Sequence, residues 1–287
     1  MHPLPPAPWY VPYRKGRYRT SPDLFPLGTD LGGGALDRCW LQWDAAAPDR
    51  ALAKRDVARG RRLDLSTPGL TSDIAAAAAN HLRDCIGREL PSDRLPERDA
   101  DPRRALADAC AAVAEDVAVA VRGPDGLDRL AWLHVAFPSR WAPEEKLGAT
   151  FEATHAPVPG MARSSAVAAR LFDLVRERGP QVRFAWGIAF DPEPDQHPSR
   201  PAAAFDGRRF WIRVERQVLA ALPVEGAAVF TIRVHVHPSE HLQTDPDAAL
   251  GLVAALRGMS EEARAYKGLA DTADAVADVA ESFASGS

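Results

Sequence analysis

Three groups of residues in this 287-residue chain carry side chains and spacings suited to chemistry. His235 and His237 lie two apart, so in a strand they project from one face, and Glu240 and His241 follow the turn at Pro238. That spacing suits a mononuclear zinc or iron site and equally describes a solvated strand end. Arg213, Glu215 and Gln217 share a face in the same way, with Arg216 pointing the opposite way. A cationic ligand would need a carboxylate or aromatic walls. Glu215 is the candidate contact for such a ligand, with Arg213 beside it and Trp186 or Trp211 as a wall; the competing role for Glu215 is a cross-strand ion pair with Arg233. The third feature is His155 within Thr154-His155-Ala156-Pro157-Val158-Pro159-Gly160, where Pro157 and Pro159 would stiffen the segment and hold the ring. Spacing alone leaves His155 open between a ligand and a hydrogen-bonding surface group. His134, between Leu133 and Val135, reads as a core or edge histidine.

The elements that must position these groups follow from periodicity. Residues 1–35, rich in Pro, Gly and aromatics, read as an extended arm ending at Gly32-Gly33-Gly34, with Trp9, Tyr10, Tyr13 and Tyr18 packing on something. A short helix covers 48–60. Residues 72–89 put Ile74, Ala78, Leu82, Cys85 and Ile86 on one helical face. The next helix starts with Asp101 as cap and Pro102 at its first position. Its stripe of Leu106, Cys110, Val113, Val117 and Val121 carries it to Gly123-Pro124. The period then changes: 130–137 reads as a strand, 138–160 as a long loop, 164–178 as a helix. Strands follow at 182–190, 209–217 and 227–237, then helices at 245–257 and 260–283. Helices, then mostly strands, then helices predict an α+β fold with a largely antiparallel sheet.

The strand faces are uneven. Val182, Phe184, Trp186, Ile188 and Phe190 share one face, whereas Arg183, Ala185, Gly187 and Ala189 leave the other nearly bare. A bare face admits either a closely packed helix or a flat ligand. In 227–237, Ala228, Phe230, Ile232, Val234 and Val236 form the apolar set, opposed by Thr231, Arg233, His235 and His237. Three strands with one mixed side predict a polar-lined cavity.

Composition excludes several classes. A formal charge of −4 gives no footprint for nucleic acid or an anionic membrane surface. Hydrophobic residues at 46% suffice for a substantial core. Cys39, Cys85 and Cys110 form no CxxC or CxxCH motif, which excludes covalent c-type haem attachment and an iron–sulfur cluster. With no apolar run of membrane-spanning length and no signal-like start, a soluble, cytoplasmic protein is expected. No GxGxxG fingerprint stands at a strand–helix junction, so a redox reaction would draw electrons from another protein.

Several blocks, in order and spacing, resemble the haem-dependent oxidative N-demethylase alpha-subunit-like family. They are His134-Val135-Ala136-Phe137-Pro138-Ser139-Arg140-Trp141, Pro143-Glu144-Glu145-Lys146-Leu147-Gly148, His155 to Pro159, Arg213-Val214-Glu215-Arg216-Gln217 with Leu222-Pro223, and Phe230-Thr231-Ile232-Arg233. The resemblance, placed over residues from about 9 to 265, implies a PAS-like fold; with the periodicity it makes 1–287 a single haem-binding domain, with 1–35 as arm, 36–125 helical, 126–240 the sheet core with a haem loop, and 241–287 C-terminal helices. It implies haem b ligated by His155, supported by Pro157, with Arg140, Lys146, Arg216 and Arg233 as propionate partners. It further implies a small amine or amino-acid amine as substrate, dioxygen, and a separate reductase or electron-transfer protein; self-association stays open. Where the family has Asn before its tryptophan, this chain has Ala185 before Trp186. The altered pocket suits a larger amine, and N-oxygenation stands beside N-demethylation. The alternatives are a haem-based gas sensor or carrier, and a non-haem metalloenzyme using His235, His237 and His241.

Overall fold

Seven strands build one antiparallel sheet: β1 (Phe25–Pro26), β2 (Asp64–Ser66), β3 (Asp116–Arg122), β4 (Asp128–His134), β5 (Gln181–Ala189), β6 (Trp211–Ala221) and β7 (Ala227–Pro238). Their order across the sheet is β1-β5-β6-β7-β3-β4-β2. This is a computed structural model, describing residues 3–19, 23–159 and 171–285. The helices are α1 (Ala47–Gly60), α2 (Ser72–Glu89), α3 (Pro102–Ala112), α4 (Pro143–Lys146), α5 (Phe151–His155), α6 (Leu171–Arg178), α7 (Pro246–Arg257), α8 (Glu261–Tyr266) and α9 (Ala273–Ser285). The expected α+β class with an antiparallel sheet is what forms.

Helix starts follow their capping residues. Thr71 accepts from the Ile74 amide, Asp101 from Arg103 with Pro102 at the first turn, and Asp245 from Ala248. The expected helix beyond Pro102 ends at Ala112, and Val117 and Val121 belong to β3. Valines four apart satisfy a helical stripe, but Val117-Ala118-Val119-Ala120-Val121 also alternates with period two, and β-branched residues favour the strand. The Lys54 ammonium from α1, fully buried, donates to the carbonyl of Cys110 at 2.8 Å and helps close that helix end. Two further boundaries differ from the sequence expectation. The segment expected as a single helix over 260–283 is broken between α8 and α9, where Gly268 takes a φ of +68°. The expected loop 138–160 contains α4 and α5. Of the helix expected from 164, only Leu171 onward lies among the described residues.

One face of the sheet is covered by helices. α2 and α3 pack with Val117, Val119 and Val229, and α7 and α9 pack on Trp186, Ile188, Ile212 and Val214. The segment 3–19 crosses this side without helix or strand, and its Tyr10 and Tyr13 are buried. The Tyr13 and Trp186 rings stand 5.1 Å apart.

Register corrects the expectation that three strands share one mixed face. Glu215 pairs with Val234 and Gln217 with Ile232, whereas Arg216 pairs with Arg233 and Val214 with His235. Residues directly opposite in a ladder share a face. The polar set of β7 therefore lies on the helix-covered side, and its apolar set lies beside Glu215. Alternation within a strand tells which residues share a face; it does not give the phase between neighbouring strands.

Candidate functional site

The other face of the sheet floors a cavity of about 490 Å³, within the usual size of a small-molecule or cofactor site. Ala118, Ala120, Ala185 and Gly187 make much of that floor, and Phe230, Ile232 and Leu219 line its middle. Small residues from β3 and β5 leave the volume open. The walls come from the 139–158 segment, Phe172 of α6, the 196–198 turn and the α8–α9 connection.

His155 lines one end. Strand β4 leads to it: Arg129 bridges to Thr150, and the Thr150 hydroxyl caps α5 by accepting from the Ala153 amide at 3.1 Å. His155 is the last residue of that single turn, and the Val158 amide returns to its carbonyl at 2.8 Å. The residue is thus held by a capped turn, where a plain loop was expected. Pro157 also lines the cavity, with Arg140 and Lys146. Arg140 has a φ of +61°, the one non-glycine residue in the left-handed region among those described. Strain of that kind collects at functional sites.

Glu215 lines the opposite end, near β5 and β6. One carboxylate oxygen accepts from the Ser139 hydroxyl, the other from Gln217 Nε2 at 2.8 Å. Ser139 in turn accepts from Arg213 Nε at 2.7 Å. The buried Arg213 guanidinium also donates to the carbonyls of Pro194 and Phe137. All three guanidinium nitrogens of Arg213 are engaged within the protein, so Arg213 orients Ser139 and, through it and its own Nε 3.9 Å away, Glu215. The expected alternative, a Glu215–Arg233 ion pair, is not formed: Arg233 lies on the other face, bound to Asp44 at 2.8 Å.

Of three other sequence candidates, Arg216 and Arg233 do not line the cavity, and Trp186 lines it with its ring packed into the helix-side core. Arg216 is buried on the helix side, donating to the carbonyls of Asp37 and Cys39. Arg233 is equally buried against Asp44. The Trp186 ring packs on Tyr13 and Tyr18, while the backbone carbonyl of Trp186 accepts from Lys267. All three belong to the strand phase opposite to Glu215. Trp211 stacks near the Arg209 guanidinium instead.

The histidine cluster is not a metal centre. His235 meets Gln42 at 3.1 Å and stacks with His237, and the Trp9 ring abuts His237 and His241. Among the described residues, no group of three or more His, Cys, Asp or Glu side chains is disposed to hold a metal ion. Burial pushes the His237 pKa down to about 4, so this ring is neutral and packed. His134 is a buried strand histidine, its Nδ1 2.6 Å from Asp64 Oδ1.

Sequence reasoning missed Lys267, Tyr266 and the role of Ser139, and left open what Tyr18 packs on. Lys267 and Tyr266 lie in a stretch read as one continuous amphipathic helix, and nothing in their spacing points inward. Ser139 sits in one of the family-like blocks, but its partner Arg213 is 74 residues away. Among the described residues no helix is long and apolar enough to cross a membrane.

A family model described as haem-dependent oxidative N-demethylase, alpha subunit-like, matches residues 78–277, well over half of the chain. The match begins within α2 and ends within α9. It takes in the cavity floor, the α5 turn with His155, the Ser139–Glu215–Gln217 group and Lys267. This chain belongs to the haem-dependent oxidative N-demethylase alpha-subunit-like family, and its coarse function is haem-dependent oxidation of the kind that name describes.

Proposed function

We propose that the cavity holds haem b through His155 and oxidises an amine held by Glu215, using dioxygen and electrons from a separate reductase. The observation that carries this reading is the cavity itself: His155 and the oriented Glu215 carboxylate both line it, and its floor combines small residues and apolar side chains with the buried Arg183 guanidinium over Phe230. The strands beneath support it. Strands β4 and β6 are three strand spacings apart, about 14 Å. That leaves width for a flat group between side chains reaching inward from both ends.

The residues present fit the cofactor. A haem iron takes four ligands from its macrocycle and needs one protein donor, so a single histidine is sufficient. Lys146 and Arg140 are the lining cations suited to the propionates, and neither has a side-chain ion pair among the described residues. Pro157 narrows the freedom of the turn that carries the ligand. When bound, haem supplies the activation of dioxygen, which no side chain can provide.

The protein's own part is recognition and orientation. Glu215 would accept hydrogen bonds from the ammonium; Ser139 and Gln217 fix both of its oxygens, so the amine meets a preset carboxylate. Which atom of the amine faces the cofactor decides the product. Oxidation at the methyl carbon ends in an aldehyde and the demethylated amine, and oxidation at nitrogen in a hydroxylamine. The PAS-like assignment is part of this reading, supported by the antiparallel sheet with its cavity on one face.

The test is the visible spectrum of the haem-loaded protein. A Soret band lost in His155→Ala and kept in His134→Ala is expected; a band of unchanged position and intensity in His155→Ala refutes the ligand. Amine-dependent consumption of dioxygen with a reductant then separates an enzyme from a gas sensor.

A further inference from the structure

At the Glu215 end, one desolvated ammonium forms no ion pair among the described residues. Lys267, in the connection between α8 and α9, lines the cavity. Its ammonium donates to the Trp186 carbonyl at 2.8 Å and stands 5.7 Å from the Tyr18 ring centroid and 5.6 Å from that of Tyr266. No carboxylate lies within ion-pair distance of it among the described residues. One neutral acceptor answers one of its three N–H groups. A desolvated ammonium left so is costly unless an anion completes it.

The position is specific. Lys267 crosses β5 at Gly187, its Nζ coming within 4.0 Å of where a Cβ on that glycine would stand. Ala185, two residues back along β5, pairs with Glu215. The carboxylate and the ammonium therefore face the same volume about 7 Å apart along the strand. A ligand carrying an ammonium and a carboxylate a few ångströms apart would satisfy both. Arg140, whose guanidinium lies against Gly268, stands at the same corner, so a haem propionate is the competing occupant and haem retention is the readout that separates the two.

We infer that Lys267, framed by the Tyr18 and Tyr266 rings, is a carboxylate subsite, and that the substrate is an N-alkyl amino acid. This rests on the reading of the cavity as a haem-dependent amine site. Selectivity comes from the pair: Glu215 takes the ammonium, Lys267 the carboxylate, and the carbon between them is left toward the open middle of the cavity. A simple alkylamine engages only half of the site.

The experiment compares N-methylglycine with dimethylamine, which lacks the carboxylate, by the shift each causes in the Soret band of the haem-loaded protein. The wild type binds N-methylglycine at least tenfold more tightly. Lys267→Met and Lys267→Gln, the second of which keeps a donor for the Trp186 carbonyl, bring the ratio to near one and leave dimethylamine affinity within twofold. Haem retention is measured on the same samples and stays unchanged. Equal affinities in the wild type, or a preference that survives both substitutions, overturn the subsite. Loss of haem in step with the substitutions overturns it too, making Lys267 a propionate partner. Absence of a Soret band in the wild type, or a band that neither ligand moves, defeats the reading of the cavity itself and this inference with it.

Discussion

Replacing Glu215 by Gln keeps the shape of the side chain and removes its charge. The carboxylate accepts from Ser139 on one oxygen and from Gln217 Nε2 on the other. Gln217 cannot turn its amide to adapt, because its own oxygen accepts from Arg183 Nε. The new amide serves only one neighbour as the carboxylate did: with its oxygen toward Ser139 its NH2 opposes the NH2 of Gln217, and turned over its oxygen accepts from Gln217 while the Ser139 hydroxyl loses its acceptor. Either way one hydrogen bond is lost at a partly buried position, a cost of about 1–3 kcal/mol. The ammonium of a bound amine loses a charged acceptor, worth about 1.5–3 kcal/mol, or about ten- to 150-fold in Kd. Both quantities come from one preparation: a denaturant midpoint for stability, and the amine-induced Soret shift for affinity. If stability falls by the stated amount while amine affinity stays within twofold, Glu215 is a structural carboxylate and the amine binds elsewhere.

Burial pushes His134 and His237 down to about 4, from an ordinary value near 6.5. Both rings stay neutral in the fold where the unfolded chain takes up protons, so their contribution is complete above pH 6.5 and drains as pH falls toward 4, by roughly 3 kcal/mol each. Denaturant midpoints at pH 7.5, 5.5 and 4.5 should fall in that order, with a shallower fall in His237→Gln; a flat profile contradicts it. Asp44→Ala leaves the Arg233 guanidinium buried without its partner at 2.8 Å, costing about 3–5 kcal/mol by urea unfolding, and adding Arg233→Met should recover much of the loss. Gly251→Ala would set a Cβ 2.7 Å from the Arg14 carbonyl oxygen and 2.9 Å from the Arg14 Cα. Segment 3–19 must then shift off α7, at about 1–3 kcal/mol, with faster proteolysis of that segment as the readout.

Legibility in the sequence followed the physics of each signal. Capped, amphipathic helices such as α2 and α7 could be placed within a residue or so, because Thr71 and Asp245 mark their starts. Strands β5 and β6 were legible as strands with one uneven face. The short strands β1 and β2 were not, since two or three residues carry no period. The stretch 113–121 failed because valines spaced by four satisfy a helix and a strand alike. For the site, Glu215 and Arg213 could be read as sharing a face. The phase of β7 could not, and with it went the expectation that Arg233 and His235 line the cavity. Lys267 was hidden for a different reason: its inward direction depends on the break at Gly268, a tertiary feature within a helical pattern.

The sheet buries polar groups on both faces, and the difference between the faces carries the functional argument. On the helix side, charges and dipoles are met in part from within: Arg233 by Asp44, His235 by Gln42, Arg216 by backbone carbonyls near Asp37, while Arg216 and Arg233 each keep Nε and Nη1 without a hydrogen-bond partner. Those groups fix segment 37–44 to the sheet, and substitutions there should be read as losses of stability. On the cavity side, Arg213 and Ser139 align Glu215, with Arg213 Nε 3.9 Å from its carboxylate, while Glu215 and Lys267 line open volume. Lys267 forms no ion pair among the described residues, and an anionic group of a ligand would complete it. That asymmetry would separate the two faces experimentally: substitutions at Asp44 or Gln42 shift unfolding midpoints, whereas substitution at Lys267 shifts ligand preference.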